Sequence, residues 1–287
     1  GLANAVNRTA PAKWAAGKLL GLDERRSLPP FARSLVGQWR RAGLGRASDR
    51  PGVLVFGDCF TMYNEPHIGL AAGRVLEAFG YQPVLVDAGC CARSMISTGL
   101  LDDAARAISN TYEKLIEADA TAPLIVLEPS CLSAIIDDWV QLKSAVPLAD
   151  RKALAERAFG LEAFLEHAWD EHPTRPEPKQ GAEAYMHGHC HEKALRGIGQ
   201  SRRLLERYAN VRTADVTCCG MAGSFGFTKD RYDLSMKIGE LGALPHAREA
   251  ADDGRAVLAA GTSCRHQMHD GAGVRAQHPA EFLDEVL

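Results

Sequence analysis

Eight cysteines in 287 residues fall into two sets of four, each with one order: a single cysteine, a long gap, an adjacent pair, another long gap and a single cysteine. The first set is Cys59, Cys90, Cys91 and Cys131; the second is Cys190, Cys218, Cys219 and Cys264. Their neighbours repeat as well. Gly57-Asp58-Cys59 answers Gly188-His189-Cys190, Cys90-Cys91-Ala92 answers Cys218-Cys219-Gly220, and Pro129-Ser130-Cys131 answers Thr262-Ser263-Cys264. A duplication that keeps thiols in register implies two half-sites built by two similar halves.

Thiolates bind soft and borderline metals, and four in one half suffice for a zinc ion or an iron-sulfur cluster. Structural zinc sites take cysteines in pairs about two to four residues apart, because that loop brings both sulfurs to one small centre. Neither set contains such a pair. Adjacent cysteines diverge, which suits different irons of a larger cluster better than one ion. Glycines beside the thiols permit close backbone approach to a bulky inorganic core. Gly57 is one, and Gly89, Gly188, Gly220 and Gly261 are the candidate cofactor-binding positions. Spacing therefore favours iron-sulfur over zinc. A redox dithiol at Cys90-Cys91 or Cys218-Cys219, cycling through a vicinal disulfide, is a third chemistry that leaves four thiols unexplained. Structural disulfides are disfavoured, since a chain this long has a core that needs no staples.

Other residues near the thiols carry competing readings. His187, His189 and His191 alternate about Cys190 as on a strand, where hydrogen bonding is favoured over metal ligation; His266 and His269, just after Cys264, carry the same two readings. Arg93 and Arg265 follow site cysteines and stand to lower thiolate pKa values, or are ordinary surface arginines. Gly220, Gly223 and Ser224 form an anion-binding turn or, in the favoured reading, close-packing positions. Met221, Trp139 and Trp169 are assigned to packing.

The positioning elements are predicted from pattern. Apolar runs at Val53–Phe56, Pro83–Val86, Pro123–Leu127, Ala184–His187, Val211–Thr217 and Ala256–Ala259 are expected strands, each running toward a cysteine step. Helical periodicity fills Ile68–Phe79, Leu100–Ala118, Leu195–Ala209 and Asp230–Leu241. Alternating strands and helices predict an α/β fold: two pseudo-symmetric lobes, each a parallel sheet flanked by helices. Ligands of such sheets sit beyond the carboxyl ends of the strands, where these cysteines fall. The expected divisions are a helical lead-in or linker over 1–50, a first cysteine-rich lobe over 51–145, a helical and proline-rich connection over 146–183, and a second lobe over 184–287.

An apolar fraction of 46% supports a sizeable core, and a net charge of −3 without long single-sign runs gives no footprint for nucleic acid or anionic lipid. No apolar stretch is long enough to span a bilayer, and no secretory signal opens the chain. A reducing, cytoplasmic setting is expected. The chain opens at Gly1, as a processed product or one domain of a longer polypeptide would.

From 51 onward the chain resembles the cysteine-rich, or CCG-domain, family, which includes the B subunit of heterodisulfide reductase and the iron-sulfur subunits of glycolate oxidase, lactate-utilisation enzymes and anaerobic glycerol-3-phosphate dehydrogenase. The residues that carry the resemblance are Cys59-Phe60 with Tyr63-Asn64, His187-Gly188-His189-Cys190-His191, Thr217-Cys218-Cys219-Gly220-Met221-Ala222-Gly223-Ser224-Phe225-Gly226, and His278-Pro279. Leu28-Pro29-Pro30-Phe31-Ala32-Arg33 resembles the segment before this domain in fusions with an FAD-linked oxidase. The family pattern has Cys-x-x-Cys at the third step, where Glu128 and Gly261 stand here, and glycine where Ala92 follows the first pair. Four thiols per half remain. The resemblance implies one or two iron-sulfur clusters of 4Fe-4S type, and FAD on a partner domain or subunit that oxidises a 2-hydroxy acid of the D-lactate type. It also implies an acceptor such as a quinone, and a cytoplasmic location or a peripheral one at the inner membrane through partners. This chain alone is not expected to oxidise a hydroxy acid. The alternatives are a zinc-binding or metal-free docking module, and a thiol/disulfide redox site of the heterodisulfide reductase type.

Overall fold

Runs of β-branched and leucine residues bury both faces of a strand, which is what a parallel sheet covered by helices requires. The computed structural model, which describes residues 2–7, 9–179, 181–216 and 218–287, has two such sheets. Their strands are β1 Gly52–Phe56, β2 Gln82–Val86, β3 Leu124–Ile125, β4 Ala158–Phe159, β5 Glu183–His187, β6 Asn210–Thr213 and β7 Ala256–Ala259. The first sheet has the order β2-β1-β3-β4 and the second β6-β5-β7, all parallel. An isolated parallel bridge from Leu258 to Gln277 prolongs the second sheet on the side where β4 prolongs the first. The α/β fold of two parallel sheets with an N-terminal helical segment is thus as expected.

The chain divides into two compact units. The first lobe comprises Arg33–Gln180, His191–Tyr208 and Ala280–Leu287, and contains the first sheet; the second comprises Gly1–Ala32, Gly181–Cys190 and Ala209–Pro279, and contains the second. In the first, Leu54, Phe56, Leu124, Ile108, Ile135 and Trp139 form a core that includes Cys91 and Cys131. In the second, Tyr185, Met221, Val257, Ala247 and Met268 surround Cys219 and Cys264. Each large apolar side chain buried this way contributes about 1.5–3 kcal/mol.

Departures from expectation have local causes. The expected helical connection over 146–183 is interrupted by β4, whose two residues are too few to show a period. The expected strand Val211–Thr217 ends at Thr213, and Thr217 lies outside the described residues. Leu195–Ala209 is two helices, Cys190–Leu195 and Gly199–Tyr208, parted at Gly197, whose φ is +73°. Among the described residues no helix is long and apolar enough to cross a membrane.

The lead-in is tied to the second lobe. Leu22 bridges Thr228 antiparallel, and the Asp23 amide donates to the Phe227 carbonyl at 2.7 Å. Arg26, 3% exposed, donates to the Gly226 carbonyl at 2.7 Å and to Ser235 Oγ at 3.0 Å, while Ser27 Oγ donates to Asp270 at 2.7 Å.

Candidate metal centre

In each sheet the chain runs from the middle strand to one neighbour and then returns to the other side, creating a switch point whose crevice lies beyond the strand ends. The single cysteines flank that point. Cys59 opens the short helix Cys59–Tyr63 after β1, and Cys131 lies in the first turn of Pro129–Ser133 after β3. In the second lobe Cys190 opens Cys190–Leu195 after β5, and Cys264 lies in the first turn of Thr262–Ala272 after β7. Helix starts present unpaired amides, which favour a thiolate. The adjacent pairs occupy the loops after β2 and β6.

The backbone of the pairs is duplicated too. Ala92 and Gly220, the residues after the pairs, have φ of +64° and +89°. In this left-handed conformation the Ala92 amide donates to Cys90 Sγ at 3.3 Å, and the Gly220 amide to Cys218 Sγ at 3.3 Å. Gly220 has a second constraint, since a Cβ there would lie 2.2 Å from the Ser235 carbonyl oxygen.

All eight cysteines are free, and within each lobe the four thiols form a string in which each acts on the next. In the first lobe it runs Cys59, Cys90, Cys91, Cys131, and the last link, from Cys91 Sγ to Cys131 Sγ, is 2.9 Å. In the second it runs Cys190, Cys218, Cys219, Cys264. Cys59 is exposed, Cys90, Cys190 and Cys218 are half-buried, and Cys91, Cys131, Cys219 and Cys264 are buried. The neighbouring thiols Cys59 and Cys91 hold the pKa of Cys90 well below the thiol range, and Cys190 and Cys219 lower Cys218 likewise. The donors Cys91 and Cys219 are pushed up by their thiol bonds and by burial.

The two strings end differently. Cys131 is drawn down by the Cys91 thiol, but burial and the carboxylates Asp58 and Glu128 outweigh this, so its pKa is raised. Cys264 is drawn well down by Cys219, and His189 and His187 support that shift. Asp58, the N-cap of its helix, accepts from the Phe60 amide at 2.9 Å and from Thr61 Oγ1 at 2.7 Å. Burial, with help from Glu128, pushes its carboxyl up to about 6 against those bonds. Glu128 caps the Cys131 helix and accepts from Ser130 Oγ at 2.6 Å. In the second lobe His189 packs so closely on Gly261 that a Cβ there would lie 2.3 Å from its ring. His187 reaches Cys264 with a hydrogen bond, while its buried Nδ1 has no hydrogen-bond partner.

Other expected positions resolve as follows. β5 ends at His187 and a helix starts at Cys190, so the histidines do not alternate along a strand. His191 Nδ1 lies 2.6 Å from Ser133 Oγ. Arg93 pairs with Asp138, and the buried Arg265 donates to the Ala259 and Ala260 carbonyls at 2.9 and 2.6 Å, so each has a protein partner. Gly89, with φ +110°, lies beside Thr111, and Gly188 is buried. Met221 is core, as expected. Trp139 packs but also donates from Nε1 to the Cys91 carbonyl at 2.9 Å, and Thr111 Oγ1 donates to the Cys90 carbonyl at 3.0 Å. Nothing local in the sequence marks these two anchors of the first pair.

Soft donors strung at helix starts, with backbone amides aimed at two of them, fit a polynuclear thiolate-bound group. Among the described residues no three His, Cys, Asp or Glu side chains are arranged to hold a single metal ion.

Residues 53–136, which include the whole first cysteine set, match the family described as CCG, the cysteine-rich domain. The full chain is 26% identical over 296 aligned residues to the C subunit of the anaerobic glycerol-3-phosphate dehydrogenase of Escherichia coli strain K12, covering 72% of that protein. It is 28% identical over 242 residues to the D-2-hydroxyglutarate dehydrogenase of Pantoea ananatis strain AJ13355, covering 82% of this chain and 22% of that one. Identity is 21% over 239 residues to the D subunit of the dihydromethanophenazine:CoB–CoM heterodisulfide reductase of Methanosarcina acetivorans, covering 79% and 55%. Residues 53–136 of the first lobe are therefore similar to the CCG cysteine-rich domain, and the second lobe repeats the order of the first sheet's three leading strands and its order of thiols.

Proposed function

We propose that the chain is an iron-sulfur electron-transfer module that works with an FAD-dependent dehydrogenase. Cys59, Cys90, Cys91 and Cys131 would hold one cluster, and Cys190, Cys218, Cys219 and Cys264 a second, each of 4Fe-4S type. The observation that carries the reading is the doubled string of four thiols at the carboxyl ends of two parallel sheets. A bound cluster supplies one-electron storage without moving atoms of substrate. The chain's own part is to present thiolates, to donate the Ala92 and Gly220 amides to sulfur, and to wall the buried thiols from water with the two cores.

The names of the relatives support a dehydrogenase or reductase setting. The partner in this reading is a flavin domain or subunit that oxidises a 2-hydroxy acid such as D-lactate or D-2-hydroxyglutarate, and the electrons pass on to a quinone or another carrier. No helix among the described residues is long and apolar enough to cross a membrane, so contact with the inner membrane would be peripheral and through partners. Purification without oxygen, or reconstitution with ferrous iron and sulfide, followed by iron and sulfide assays and EPR, tests the module. Iron with matching sulfide is expected, and it should fall by about half in Cys218→Ser. Protein that stays free of iron after reconstitution would overturn the reading.

A further inference from the structure

The two thiol strings share a backbone, but carboxylates flank the first and imidazoles the second. Asp58 and His189 occupy equivalent places, each just before the first cysteine of its set, and Glu128 and Gly261 stand three residues before the last. Asp58, 1% exposed, caps the helix that Cys59 opens, and Glu128, 5% exposed, caps the helix whose first turn carries Cys131; with burial, both carboxylates push that thiol up. In the second lobe the absence of a side chain at Gly261 lets His189 pack there, and His189 and His187 both act on Cys264. An imidazole beside a thiolate is a donor or a cation, whereas a carboxylate is an acceptor and an anion. Four thiolates gathered on a cluster concentrate negative charge, which buried carboxylates oppose and imidazoles offset.

We propose that the two sets are unequal sites: Cys190, Cys218, Cys219 and Cys264, with His187 and His189, form the tight one, and Cys59, Cys90, Cys91 and Cys131, beside Asp58 and Glu128, the labile one. This rests on the iron-sulfur reading above. Asp58 and Glu128 are positioning residues that set how firmly the first set holds its group, and they do so without ligating it.

The test uses the full chain loaded anaerobically with ferrous iron and sulfide, then challenged with a ferrous chelator while iron release is followed by absorbance. Two phases of equal amplitude are expected, with rates apart by on the order of tenfold, the effect of about one pKa unit of charge interaction. Cys90→Ser should remove the fast phase and Cys218→Ser the slow one. Asp58→Asn with Glu128→Gln, which keeps side-chain shape and both helix caps, should slow the fast phase toward the other while circular dichroism stays unchanged. Equal rates, a fast phase that belongs to the second set, or no response to the double variant would overturn the inequality and leave the cluster reading standing. Absence of iron from both sets would overturn both.

Discussion

Before the first cysteine of the first lobe stands Asp58, and before that of the second stands His189; after the first pair comes Ala92, and after the second Gly220. The strand orders around these positions are the same, and so are the amide-to-sulfur bonds of 3.3 Å. Backbone and thiol positions are therefore what the duplication kept, and the residues beside them are what it changed. The lobes also treat buried acids differently. In the second, Asp270 is pushed up by burial but ends lowered, because Ser27, His269 and Arg26 answer it. In the first, Glu162 is fully buried with Glu192 near it, and its carboxyl is pushed up to about 8 by desolvation first and by Glu192 second.

That contrast predicts the largest effect. A carboxyl whose folded pKa lies near 8, above the ordinary 4.5, holds its proton longer folded than unfolded. Its contribution is full below pH 4.5 and is lost as pH rises through about 8. The loss for a buried group shifted this far is on the order of 4 kcal/mol. Urea unfolding between pH ~5 and ~9 should show falling stability in the parent chain and a flatter profile in Glu162→Gln. Parallel profiles would mean that Glu162 finds compensation and that the lobes do not differ in this way.

Exchanging the residues that follow the pairs should give the next effect. Gly220→Ala places a methyl against the Ser235 carbonyl oxygen at a φ of +89°. Left-handed strain and overpacking together predict a loss of ~3 kcal/mol. Ala92→Gly is the mirror experiment. It relieves strain at φ +64°, but it removes a buried methyl and adds unfolded-state entropy. The net should stay within ~1 kcal/mol of zero by the same unfolding measurement. Equal costs for the two exchanges would show that the loops differ less than their neighbours suggest.

Much of this was legible from residue order. The thiol sets, the parallel α/β plan and strands β1, β2 and β7 followed from repeated neighbours and unbroken apolar runs. β4 did not, because two residues carry no period and its pairing to β3 is long-range. The histidines beside Cys190 were misplaced because alternation was extended past His187, where the chain turns into a helix. The exchange of Asp58 for His189 is visible in the aligned halves. Its meaning is not, since the carboxylate that acts on Asp58 comes from Glu128 on another strand end. Trp139 and Thr111 were likewise invisible as anchors, because a donor to a pair carbonyl is identified only once two helices are folded against the loop.

The tie between the lead-in and the second lobe bears on where this domain can be cut. A fragment begun at Pro51, where the cysteine-rich resemblance starts, would strip Arg26 from the Gly226 carbonyl and Ser235, Ser27 from Asp270, and Leu22 from its bridge to Thr228. Asp270 would then be a buried carboxylate without those two partners, and the loop bearing Cys218 and Cys219 would lose the segment packed along its far end. A unit that keeps these ties starts before Leu22, so the boundary seen by sequence likeness and the boundary that keeps the lead-in on the second lobe are different residues.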